Sequence, residues 1–173
     1  MYQMERRNIT NEFLKECIAD ALIKLLHEKT IESITISEIT DLAGVGRSTY
    51  YRNFTSKEDI LNFKLTLITK RWVDESDFLD SRVSGEKMKK FLHFLYVNQD
   101  LLMLYHNANL IHMLFLIIYE AIGPSEFDSQ TSRFGKSIFS FSVFAIVYEW
   151  LNDGMKESPE ELAEILFTFA PTT

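Results

Sequence analysis

The chain has 173 residues, 46% of them apolar, and a formal net charge of −7. Such a length and apolar content exclude a disordered chain and suit one domain or two small ones with a true core. Three prolines and six glycines are too few to turn many hairpins, which favours long helices, and the lone cysteine, Cys17, excludes an intramolecular disulfide.

The charge is unevenly placed. Residues 1–72 carry 11 Lys and Arg against 10 Asp and Glu, a balance of +1, whereas residues 73–173 carry 7 against 15, a balance of −8. Any face that meets nucleic acid must therefore be local and N-terminal, because the acidic remainder repels phosphate. Residues 1–12 are mostly polar and charged, so no signal peptide is expected there. The apolar runs around 110–122 and 138–151 read as too short and too interrupted to span a bilayer. No membrane partner and a cytoplasmic location are the expectation.

In chain order, residues 9–26 predict an amphipathic helix. Ile9, Phe13, Cys17, Ala21 and Leu25 recur four apart beside a second stripe of Leu14, Ile18, Leu22 and Leu26, giving one wide apolar face. Cys17 reads as a small buried hydrophobe in that stripe. Residues 30–34 form a connector. Thr35 followed by Glu38 is a capping box, opening a short helix with Ile36, Ile39, Leu42 and Ala43 inward. Gly44 ends it, as a residue suited to a left-handed turn. A third helix covers roughly 46–53 and Phe54 closes it; Thr55, Ser56, Lys57 and Glu58 open a fourth that runs to Trp72.

A short helix, a glycine turn and a second short helix make the helix-turn-helix pattern. The second helix is rich in long polar side chains because it must present them to a groove while Val45, Tyr50 and Phe54 hold it in place. Thr49, Tyr51 and Asn53 suit phosphates and base edges, and Arg47 and Arg52 offer forked donors to either. Lys57 stands at the start of the fourth helix, where free amides and the helix dipole favour a phosphate.

The segment 9–72 resembles the DNA-binding domain of the TetR family of transcriptional regulators. The string "AGVGRSTYYRNFTSKEDIL" carries the resemblance, with the long helices on either side of the motif. The resemblance implies that Thr35 and Ser37 touch phosphate or the groove edge. It implies that Arg47, Ser48 and Thr49 meet bases and backbone, that Tyr51 bonds a phosphate, that Arg52 and Asn53 complete the face, and that Lys57 holds a phosphate. Gly46 departs from the family pattern, where a larger polar residue is common.

The acidic remainder predicts more helices: 86–98 with Met88, Phe91, Leu92, Leu95 and Tyr96 inward, a short one at 101–105, and one from Asn107 to Ile122 stopped by Gly123 and Pro124. Residues 74–85 read as a loop or frayed end. Residues 131–153 form a helix that is apolar almost all round, so that one face serves the subunit core and the other a partner. Ser158 and Pro159 start the last helix, with Leu162, Ile165, Leu166 and Phe169 on its apolar side. The family resemblance implies that this part dimerises and binds a ligand. "VYEWLNDGMKESPEELAEIL" looks like members whose C-terminal domain is similar to the dihydroxyacetone-kinase operon activator, which raises a protein effector as an alternative.

The fold expected is all-α: a helix-turn-helix DNA-binding domain over 1–56, then a linking helix and a C-terminal regulatory and dimerisation bundle over 57–173. The function expected is a homodimeric repressor on a palindromic duplex operator, relieved by a small molecule; the alternative is an activator or a module that recruits a protein. No cofactor is expected. His27, His93, His106 and His112 form no compact metal motif. The sequence holds no G-x-S-x-G, no phosphate loop and no H-E-x-x-H, so an enzyme is not expected. A ligand pocket, if built from side chains with polar tips, would draw on His93, Tyr96, Tyr105, His106, His112, Tyr119 and Trp150.

Overall fold

The structure, a computed structural model, describes residues 2–76 and 85–169. Nine helices and no strand occur among these residues: α1 (Tyr2–Leu26), α2 (Ile36–Ala43), α3 (Arg47–Asn53), α4 (Lys57–Ser76), α5 (Gly85–Val97), α6 (Gln99–Asn107), α7 (His112–Ile122), α8 (Gln130–Asn152) and α9 (Pro159–Phe169). The expected loop at 74–85 lies mostly outside the described residues, and its first part, through Ser76, is helical. The chain divides into two compact units, Met1–Ile68 and Thr69–Thr173.

In the first unit α1 packs on α2 and α3, and α2 packs on α3. Helices of eight and seven residues, such as α2 and α3, are too short to persist alone, so packing must hold them. The core is Ile18, Leu22, Ile31, Ile34, Ile39, Tyr50, Phe54, Ile60, Leu61 and Leu65, all buried. Each such side chain contributes roughly 1.5–3 kcal/mol against leaving it in water. Three inward assignments need correction. Phe13 is 64% exposed and Leu42 51% exposed, while Cys17 is only half-buried. In α2 the inward arc runs through positions 36, 39, 40 and 43, which share one side of a helix; Leu42 falls outside it. Thr40 is buried in its stead, its hydroxyl donating to the carbonyls of Ile36 (3.0 Å) and Ser37 (3.1 Å).

In the second unit α5 packs on α9, α7 on α8, and α6 on α8. Met88, Phe91, Leu92 and Leu95 are buried as their spacing predicts, but Tyr96 sits at the surface, stacked on Trp150 at 6.1 Å. Helix α7 begins at His112, later than Asn107. Asn109, at φ 57°, takes a left-handed turn that interrupts the helix, and Leu110 returns its amide to Tyr105. Residues 99–107 are helical throughout, so the short helix expected at 101–105 is longer at both ends.

Helix α8 carries two stripes. Ser140, Val143, Val147, Trp150 and Leu151 are buried, whereas Phe134, Ile138, Phe141 and Tyr148 are exposed by 65, 66, 56 and 38%. At 23 residues α8 is long and apolar enough, by length and composition alone, to cross a membrane. The interruptions read from the sequence therefore do not exclude a span by themselves. Its packing on α6 and α7 gives the helix another place. Ser158 caps α9, accepting from the Glu161 amide (3.3 Å) while the Glu161 carboxylate accepts from the Ser158 amide (2.8 Å).

Candidate nucleic-acid interface

The site is built from α2, its turn and α3. Thr35 is the N-cap of α2, in extended backbone, and the full capping box forms: the Glu38 amide donates to Thr35 Oγ1 (3.3 Å), and the Thr35 amide donates to Glu38 Oε2 (2.8 Å). Lys29, just past the end of α1, donates to the same Glu38 carboxylate. Gly44 then turns the chain at φ 68°, a left-handed conformation that glycine adopts without cost. Its amide and that of Val45 return to the carbonyls of Asp41 and Thr40. Gly46 begins α3 with no side chain to cap it.

The Lys29 ammonium, and after it the Thr35 amide and hydroxyl, hold the Glu38 carboxyl at a pKa of about 2. A depressed carboxyl stabilises the fold fully above its ordinary value of 4.5, and that contribution disappears as pH falls toward 2. The stability difference between wild type and Glu38→Gln is thus expected to be largest above pH 4.5 and to shrink toward pH 2. Thermal melts of both proteins across that range check it; a constant difference would mean that ionisation of Glu38 does not contribute to stability.

In α3 only Tyr50 is buried. Its ring meets Tyr51 edge-on at 5.2 Å and Phe54 at 6.3 Å; Phe54 in turn meets Phe63, and the Lys15 ammonium lies over both Phe54 and Phe63. Burial pushes the Tyr50 hydroxyl up from its ordinary pKa. With Tyr50 turned inward, Arg47, Ser48, Tyr51 and Arg52 are left exposed. Their spacing of one, three and one puts them on a single side of the helix.

The other expected contacts are placed differently. Thr35 has its hydroxyl in the capping box, and Ser37 is half-buried. Thr49 and Asn53 are half-buried, and the Asn53 side-chain amide donates to the Thr49 carbonyl (2.8 Å). The Lys57 ammonium, at the start of α4, donates to the carbonyls of Ile31, Glu32 and Ile34. No spacing in the sequence points to the Lys29–Glu38 pair, because its partners are nine residues apart across an irregular connector.

Residues 84–172 match the family described as the C-terminal region of transcriptional regulators, and residues 18–62 match the bacterial regulatory proteins of the tetR family. The chain belongs to the TetR family. It is a DNA-binding transcriptional regulator and not an enzyme.

Solved structures of TetR regulators share its fold. The dihydroxyacetone kinase operon activator DhaS superposes with a TM-score of 0.63 at 18% identity, covering 91% of this chain and 93% of that one. A TetR transcriptional regulator from Streptococcus agalactiae 2603V gives 0.55 at 24% identity, over 99% and 100%. NalD, the secondary repressor of the MexAB-OprM multidrug efflux pump in Pseudomonas aeruginosa, gives 0.57 at 18%, over 90% and 93%. No curated protein matches the chain by sequence.

In the regulatory part of this TetR protein Tyr96 and Trp150 stack on each other, and the other five residues considered for a pocket are dispersed. Tyr105 and Trp150 are buried, and the Trp150 indole donates to the Glu157 carbonyl (3.1 Å). His106 Nε2 pairs with Asn152 Oδ1 at 2.8 Å, and its ring lies against Tyr148. His112 is exposed at the start of α7. His93 lines a groove of about 580 Å³ whose wall includes Trp72 and Phe94, stacked at 4.9 Å. Tyr119 lines a separate hollow of about 400 Å³ between α7 and the start of α8. Neither space holds more than one of the seven. Residue type and polarity suggested a shared pocket; the helix rotations that decide it are set by packing, which the spacing of single residues does not encode. Among the described residues no three of His, Cys, Asp and Glu cluster to hold a metal.

Proposed function

We propose that the protein acts in the cytoplasm as a homodimer that binds a palindromic operator through α3 and represses transcription by occupying it. Arg47, Ser48, Tyr51 and Arg52 supply the base and phosphate contacts, and Thr35, Ser37, Thr49 and Asn53 the groove-edge contacts. The observation that carries this reading is the exposed polar side of α3, held out by a single buried residue, Tyr50. The exposed stripe of α8 supplies the dimer: Phe134, Ile138, Phe141 and Tyr148 recur at helical spacing on one side, and a second copy would cover them in an isologous contact. Two linked copies read two half-sites one helical turn apart, which is why a palindrome is expected.

A small-molecule effector bound in the C-terminal unit relieves repression by preferring one spacing of the two α3 helices. It can shift the operator affinity only by its differential affinity for the two states. Of the seven candidates, His93, beside the Trp72 and Phe94 rings, is the one retained for that site. The fold serves an activator in DhaS and a repressor in NalD, so activation with a partner protein is the competing sign of regulation.

Selection of bound duplexes from a random pool, at stated salt, tests the reading. Enrichment of a palindrome is the expected result. The double variant Arg47→Ala, Arg52→Ala should then bind more weakly, with a salt dependence shallower by about one log unit per log salt for each phosphate that is no longer neutralised. Wild-type affinity and slope in that variant would remove α3 from the interface.

A further inference from the structure

We infer that the groove beside His93 binds an aromatic monocarboxylate: the ring of the ligand lies on the Trp72–Phe94 pair and its carboxylate meets Lys89 and Lys90. All of these residues belong to the second unit. The floor of the groove is aromatic. Trp72, near the end of α4, stacks on Phe94 at 4.9 Å with 23° between the planes, and meets Phe91 at 5.8 Å. Phe91 is buried, whereas Trp72 and Phe94 are half-buried and Val97, one turn further along α5, is 68% exposed. An aromatic face is thus left open to a space of about 580 Å³, a size usual for small-ligand sites. A flat ring extends such a stack as an aliphatic chain cannot.

The rim supplies the charge. Residues 73–173 carry only 7 Lys and Arg against 15 Asp and Glu, yet Lys87, Lys89 and Lys90 stand together on α5. Lys89 and Lys90 both line the groove, are exposed, and have no ion-pair or hydrogen-bond partner among the described residues. An ammonium offers donors and no acceptor, so the group these two can pair with is an anion. His93, one turn beyond them on the same side of α5, adds an imidazole N–H.

Two carboxylates also line the space, one toward each end. Glu86 is in the first turn of α5. Glu164 and Thr168 of α9 stand beside Gly85 and Glu86, so α9 runs antiparallel to α5 and brings Glu160, in its own first turn, to the end marked by Val97 and Asn98. The two ammonium groups hold the middle, with Lys90 one turn from Phe94, and the acidic ends disfavour a second negative charge on the ligand. This assigns a ligand class to the groove retained above for the effector. That role rests on the reading of the protein as an effector-relieved regulator; the binding site itself does not.

The test uses the full-length protein without DNA and three probes of one shape: 2-naphthoate, neutral 2-naphthol and 2-naphthylmethylammonium. The readout is the indole N–H resonance of Trp72. The other tryptophan, Trp150, is 2% exposed with its indole on the Glu157 carbonyl, and serves as the control. Naphthoate should shift Trp72 and leave Trp150 unmoved, with a Kd of about 1 mM or tighter. Its Kd should lie at least about fivefold below that of naphthol, as for pairing with exposed charges, and the ammonium should bind more weakly still. In the double variant Lys89→Gln, Lys90→Gln the preference for naphthoate should disappear while naphthol binds as before. Equal binding of the three probes, a preference that survives the double variant, or no shift of Trp72 at ~10 mM naphthoate overturns the inference. Should the variant not fold, the ranking of the probes on wild type decides alone. Operator affinity with and without naphthoate then tests the role. An unchanged affinity with Trp72 shifted keeps the site and removes the effector assignment; a wild type that binds no duplex fails the operator reading while the probe ranking still decides the site.

Discussion

Replacing Ile138 and Phe141 together by aspartate is expected to leave the protein folded but monomeric. Both side chains are more than half exposed on α8; Phe141 also meets the Phe115 (4.7 Å) and Tyr119 (6.1 Å) rings of α7, but the buried stripe of α8 is left intact. In a two-fold contact each substitution appears twice, and four carboxylates would face an apolar surface that cannot pair them. A weakening of dimerisation by at least about 100-fold, near 2.7 kcal/mol, is the expected scale. Operator affinity should fall with it by roughly 10²–10⁴, because the second half-site then binds as a separate molecule. Sedimentation equilibrium and circular dichroism check the two parts. An unchanged dimer would move the subunit contact off this face, and a loss of helicity would mean that the residues serve the protomer instead.

The second large effect is expected at Trp150. The indole is 2% exposed, stacks on Tyr96 and donates to the Glu157 carbonyl in the turn between α8 and α9. Trp150→Ala removes the ring and leaves that carbonyl without its donor, a cost of about 3–5 kcal/mol. Against a total stability of roughly 5–15 kcal/mol, this is enough to lower the melting temperature by about 6–20 °C. Trp150→Phe keeps most of the volume and loses chiefly the hydrogen bond, about 1 kcal/mol. Urea unfolding of the three proteins measures the order. If Trp150→Ala lies within about 1 kcal/mol of wild type, the ring is not the anchor of the α8–α9 turn.

Local chemistry made much of this legible from the residues. Thr35 with Glu38, Gly44, and Ser158 with Pro159 each mark a helix boundary through a short-range bond or a backbone preference, and each boundary stands where the sequence puts it. The two stripes of α8 were likewise visible, since a helix apolar on every side must meet two surfaces. What stayed hidden depended on tertiary placement. Phe13 and Leu42 fit an apolar spacing but lie outside the arcs that packing selects. The start of α7 was hidden because Asn109 takes a left-handed conformation that asparagine tolerates but does not announce. On α3, residue type marked Arg47, Ser48, Tyr51 and Arg52 as polar surface positions, and they are exposed, while the environment of Lys57 depended on carbonyls more than twenty residues away.

The economy of α3 bears on how such regulators diversify. One buried side chain, Tyr50, with Phe54 just past the end, secures the helix, and the exposed positions on it contribute little to the core. Surface substitutions of that kind usually change stability by no more than about 0.5 kcal/mol. Positions 47, 48, 51 and 52 can therefore accumulate substitutions without passing through unfolded intermediates. After a gene duplication, a copy of this chain could change these positions while retaining its fold. Grafting those four positions between paralogues is the corresponding route for an engineer.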